Sequence, residues 1–267
     1  MSIGEEIMPQ ESYRDIQKLL ASAKPEDLRK GLKLVKDELS RVEPREAKPL
    51  FEMVLSIFYI DTLDQPQLVP VLDEAVSLVA GFGEWVIPFL VEGLDAGDIK
   101  AQFAIAHALG RIGTDAIEPL MAEYVSSADP ARRVFVLYAL GKIKSPQIEQ
   151  ASRLALDAAQ SPDLELRDTG TRAIGKFAES IPPSLLPEEL RREFVEKLHD
   201  NLSHANPGIR SKAVRSLGKM ARCGHLHGPE KAELKELCRV ILGTDERFEW
   251  DRAFVVRKEA EEALRYV

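Results

Sequence analysis

The chain has 267 residues, 45% of them hydrophobic but only 6% aromatic, with two cysteines and a net charge of −8. That is enough apolar mass for a continuous core, it suits Ala/Leu/Val helix packing better than a β-sandwich, and it rules out a disulfide framework. No run approaches the roughly 18 apolar residues of a membrane span, and the N-terminal Met1-Ser2-Ile3-Gly4-Glu5-Glu6 has no basic flank followed by an apolar stretch, so a cytoplasmic protein with no membrane contact is expected.

Residues 1–12 read as a flexible N-terminus and 13–267 as a single repeat domain. One phrase recurs along it: Leu109-Gly110-Arg111-Ile112, Leu140-Gly141-Lys142-Ile143, Ile174-Gly175-Lys176-Phe177 and Leu217-Gly218-Lys219-Met220. Arg133, Arg167 and Arg210 stand seven residues before the last three copies, and Asp129, Asp163 and Asn206 four residues before those arginines. A period of this length carrying one two-helix unit predicts an all-α solenoid, a superhelix of six to seven antiparallel helix pairs. The second helices fall near 27–42, 67–82, 98–112, 130–143, 163–179, 207–222 and 252–266. The Asp129-Pro130, Ser161-Pro162 and Asn206-Pro207 steps supply cap-plus-proline helix starts. The last unit carries an expanded turn from Gly243 to Asp251, with Phe248 and Trp250 in it.

These motifs resemble HEAT repeats, in particular the short bacterial HEAT-like repeats of the phycobilisome-lyase type. The resemblance is carried by Asp115-Ala116-Ile117-Glu118-Pro119-Leu120, by Asp129-Pro130 with Arg133, and by Ala139-Leu140-Gly141-Lys142-Ile143; it covers about 84 to 225 well. It implies a fold rather than an activity, since such arrays serve as scaffolds, adaptors and occasional enzymes. It also implies that the second helices line the concave side.

On a helical wheel Arg210 falls on the apolar face formed by Ala213, Val214, Leu217, Met220 and Ala221. Arg133, Arg167 and Arg210 are therefore expected to form a buried structural ladder, each guanidinium bonding the Asp/Asn side chain or loop carbonyls of an adjacent unit. Cys223, His225, His227 and Cys238 are metal-ligand types, but their spacing matches no standard zinc framework, so neither metal nor cofactor is expected. No phosphate loop, nucleophile elbow or HExxH motif is present, and the expected function is not enzymatic.

The same wheel leaves a polar ridge opposite the core. It holds His107 and Arg111, then Phe135, Tyr138 and Lys142, then Arg172 and Lys176, then Arg215 and Lys219. Exposed aromatics among cations are the composition of an interface. The expectation is a scaffold or adaptor whose ridge binds a protein partner, its segment acidic or phosphorylated. A nucleic-acid groove of the DNA-glycosylase type is the alternative, and a phycobilin-lyase-like enzyme a minor one. Residues 49–99 hold nine acids and no Lys or Arg, whereas 201–229 holds five Lys or Arg and no acid. That asymmetry suggests weak head-to-tail self-association.

Overall fold

The computed structural model describes residues 13–44, 46–95, 97–244 and 250–267. The expected flexible segment 1–12 and Phe248 lie outside the described residues. Among those described there are 14 α-helices and no strand, which makes the fold class all-α. They group as seven pairs, and the chain divides into two compact units that meet between Ile112 and Gly113. Each unit is taken by itself.

The first unit holds α1 (Arg14–Leu20), α2 (Pro25–Leu39), α3 (Lys48–Leu55), α4 (Val69–Ala80), α5 (Ile87–Gly93) and α6 (Ile99–Ile112). Pro25 opens α2 after an extended Lys24, as a residue before proline must be. Leu28, Leu32 and Val35 then fall on one buried stripe. The second helices α2, α4 and α6 pack in succession, while α5 packs on α6. Phe51, Phe82 and Trp85 meet edge to face at centroid distances of 5.6–6.1 Å, a geometry that the ring quadrupoles favour.

The second unit holds α7 (Ile117–Ser126), α8 (Pro130–Leu140), α9 (Ser152–Ala158), α10 (Leu164–Ser180), α11 (Glu188–Leu202), α12 (Pro207–Arg222), α13 (Gly228–Leu242) and α14 (Phe254–Ala263). Here α8, α10, α12 and α14 stack in sequence, each also packed against the first helix of its own pair. The cap-plus-proline reading holds at Asp129-Pro130 and Asn206-Pro207, but α10 begins at Leu164 with Asp163 as its cap, so Ser161-Pro162 precedes the helix rather than starting it. Asp129 Oδ1 accepts from Ala131 N at 3.0 Å, Asp163 Oδ1 from Leu166 N at 2.8 Å, and Asn206 Oδ1 from Gly208 N at 2.8 Å. Each satisfies an amide that the first turn leaves without an intrahelical partner. Leu137, Leu140, Ile174, Phe177, Val214, Leu217 and Met220 are at most 1% exposed and form the seam between second helices. Burial of each such side chain contributes about 1.5–3 kcal/mol.

Gly175 sets how close α10 and α12 come. A Cβ built there would lie 2.5 Å from Ser216 Oγ and 2.9 Å from Ser216 Cα, so any larger residue would force the helices apart. The last pair is shorter than its pattern suggested: α14 begins at Phe254 rather than 252, and its tail Leu264–Tyr266 tightens into a 3-10 turn.

Candidate functional site

The arginine ladder differs from expectation in two respects. Arg133, Arg167 and Arg210 are half-buried rather than buried, and the acceptors of Arg133 are carbonyls of its own pair rather than of an adjacent unit. Arg133 stays within its own pair, with Nε donating to Tyr124 O at 3.1 Å and Ser127 O at 2.8 Å. Arg167 and Arg210 reach the next pair. Arg167 Nε donates to Asn201 Oδ1 at 2.8 Å, and Arg210 pairs with Asp251 at 2.8 and 2.9 Å while Nη1 also bonds the His204 carbonyl. Arg257 bonds the Asp251 and Arg252 carbonyls in the same manner. Asn201 is fully buried, and its Nδ2 donates to Ala159 O and to Thr171 Oγ1. The sequence pattern did not single it out, since a lone Asn in a first helix reads as surface.

The ridge residues fall in both units. His107 and Arg111 belong to the first, where His107 is half-buried and Arg111 is held by Asp73 and Ser77 of α4, its Nη1 donating to Asp73 O at 2.7 Å. Phe135, Tyr138, Lys142, Arg172, Lys176, Arg215 and Lys219 share the second-helix face of the second unit. Phe135 and Tyr138 are half-buried there, not exposed as expected. Tyr138 on α8 lies between two cations: Lys142 Nζ is 4.6 Å and Arg172 Cζ 5.3 Å from its ring centroid. Together with Gly141, Ala173 and Lys176 these side chains line a groove between α8 and α10. Among the described residues no carboxylate pairs with Lys142 or Arg172.

One repeat further on, cations and acids alternate. Lys176 Nζ and Lys219 Nζ both donate to Glu179 Oε2, at 3.0 and 3.1 Å, and Arg222 takes Oε1. Lys212 faces Asp168 at 3.5 Å, and Arg215 grips Glu259 through two nitrogens. Burial acts to raise the Glu179 pKa, but the hydrogen bonds and charges of Lys176 and Lys219 outweigh it and hold the carboxyl at about 2. Burial also pushes the Lys219 ammonium down to about 8. Glu179 and Asp168 were missed in the sequence; apart from Lys176, one turn from Glu179, their partners lie 40 or more residues away.

The charge segregation seen along the chain is compensated in space at the basic stretch and in part at the acidic one. Asp61 meets Lys100, Asp73 meets Arg111 and Glu74 meets Arg29, while every cation from Arg210 to Arg222 finds an acid.

The Cys/His cluster does not gather. His225 is 1% exposed with Nε2 at 2.9 Å from the Ala178 carbonyl, and Cys238 is buried among apolar neighbours that push its thiol up to about 12. No group of three or more His, Cys, Asp or Glu converges on a common point among the described residues. No single described helix is long and apolar enough to cross a membrane.

The family model for HEAT repeats matches residues 87–175. Solved structures extend the likeness over most of the chain. The complex of CpcE and CpcF of phycocyanin lyase from Nostoc sp. PCC7120 is 20% identical, with a TM-score of 0.53 over 67% of this chain and 98% of that one. Kap121p bound to Ste12p is 14% identical, with a TM-score of 0.60, and Kap121p bound to Nup53p is 14% identical, with a TM-score of 0.59. Each of those two alignments covers at least 95% of this chain but 29% of Kap121p. At these identities the likeness is one of fold. No curated protein matches the chain in sequence. The HEAT reading accounts for the stacked second helices and the repeated caps; it leaves the chemistry to individual side chains.

Proposed function

We propose that this HEAT-repeat chain is a non-enzymatic scaffold that binds a protein partner along the second-helix face of its second unit, gripping an acidic or phosphorylated segment. The observation that carries this reading is Tyr138 held between Lys142 and Arg172, two cations that pair with no carboxylate among the described residues. The ring supplies area and a rigid floor. The cations orient an anionic group laid across it, each exposed ion pair adding about 0.2–1 kcal/mol. Lys176 closes one end of the groove. Arg215 and Lys219, paired with Glu259 and Glu179, continue the ridge toward α14, and His107 with the Asp73-paired Arg111 belongs to the ridge of the first unit. Kap121p, a structure of like fold, is bound to Ste12p and to Nup53p, which supports protein binding as a use for stacked helices of this kind.

A pull-down from the source cell tests the proposal. Wild type should capture partner proteins at low salt, resistant to nuclease, and Tyr138→Ala and Arg172→Glu should each lose them. Full retention of the same partners by both variants would place binding elsewhere and overturn the reading. Recovery abolished by nuclease would overturn it in favour of nucleic acid.

A further inference from the structure

The cluster on Glu179 gathers more cations than its one carboxylate can neutralise. Among the described residues Glu179 is the only carboxylate paired with Lys176, Lys219 or Arg222. Three cations therefore converge on one anion, and two of them share a single oxygen. The Glu179 and Lys219 side chains are each only 15% exposed, so water screens this excess poorly. The lowered ammonium of Lys219 follows from the same burial.

A carboxylate offers two oxygens to these three donors. A phosphate group offers three, with nearly twice the charge at neutral pH. We infer that Lys176, Lys219 and Arg222 form an anion subsite for a phosphate-class group, and that Glu179 is an internal stand-in which such a group displaces. Glu179 sits one helical turn from Lys176 near the end of α10, so a rotamer change withdraws its carboxylate without moving the backbone. The inference deepens the scaffold reading and rests on it for the choice of face. It assigns a second anionic contact one repeat beyond the Tyr138 groove, with Lys176 common to both.

The test uses the full chain and inorganic pyrophosphate as probe, titrated calorimetrically at low salt and neutral pH. Wild type should bind it. Glu179→Gln, which removes the competing charge, should bind about fivefold more tightly, and Arg222→Gln about fivefold more weakly. Arg153→Gln, an exposed arginine on α9 outside the second-helix face, should stay within about twofold of wild type. Affinity unchanged or weakened in a folded Glu179→Gln overturns the inference. Should that variant not fold, Arg222→Gln decides alone, since its side chain is 45% exposed and tolerant of change; unchanged binding there also overturns it. Binding lost only in Arg172→Gln puts the anion in the groove between α8 and α10, which ends this inference and leaves the scaffold reading intact.

Discussion

The groove between α8 and α10 and the seam between α10 and α12 are built from equivalent residues yet differ in charge balance. Lys142, Lys176 and Lys219 occupy the same place in three successive repeats. Three residues further on stand Ser145, Glu179 and Arg222. Helix length decides what those residues can do. Pro146 forces Ser145 into extended backbone, α8 stops at Leu140, and Ser145 becomes a cap accepting from Gln147 N at 3.2 Å. Helix α10 runs on to Ser180, so Glu179 stays one turn from Lys176 on the same face and reaches across to α12. One helix end thus leaves its cations open and the next neutralises them. A repeat array acquires a local site by varying where a helix stops as much as by varying side chains.

The largest way to break the paired side is to remove its buried node. Asn201→Ala would strip the Arg167 guanidinium, the Ala159 carbonyl and the Thr171 hydroxyl of a shared partner. A loss of about 3–4 kcal/mol is expected in urea unfolding. A melt like wild type would mean that Asn201 is not the link between α10 and α11.

Acid titration gives the next largest effect. The Glu179 carboxyl is held at about 2 against an ordinary 4.5, so its folded-state value is depressed. Its contribution is fully present above pH 4.5 and lost as pH falls toward 2. Discounted for partial exposure, the contribution is on the order of 1–2 kcal/mol. Stability measured against pH should fall less steeply over that window in Glu179→Gln than in wild type; equal slopes would show that other carboxylates govern it.

The open side should respond least in stability. Tyr138→Ala removes two ring–cation contacts on a half-buried residue, a loss of about 1 kcal/mol. Thermal melting should barely move while partner capture is lost. A large drop in melting temperature would mean that Tyr138 is part of the core and the comparison with the α10–α12 seam fails.

The repeat phrases, the cap-plus-proline starts and the 3.6-residue apolar stripe were enough to place all seven second helices to within a few residues, because these signals are local. Helix ends near Pro146 and Gly243 were blurred, since 3-10 and αL terminations depend on a few residues. The site was legible only as a list of faces. The wheel placed Tyr138, Lys142 and Arg172 together, but it could not foresee that Arg111 would be taken by Asp73, or Lys176 and Lys219 by Glu179. Those pairings depend on which residue of a neighbouring repeat comes level with which, and on how closely Gly175 lets two helices approach. The arginine ladder was read on the correct face, yet its acceptors are set by turn geometry, and Arg133 and Arg210 differ for that reason.

The stacking of α8 on α10, α10 on α12 and α12 on α14 has a kinetic consequence. Contacts that join only neighbouring pairs close short loops, so each pair can dock as soon as the one before it has formed, and refolding should be fast for a chain of this length. By the same connectivity, opening under mild conditions should pass from one pair to its neighbour, and hydrogen exchange should resolve α14, α12 and α10 as separate steps. A ligand seated on Tyr138 would clamp α8 to α10 and stop that progression there, so occupancy of the groove should register as slowed exchange in α10 while α14 continues to open at its own rate.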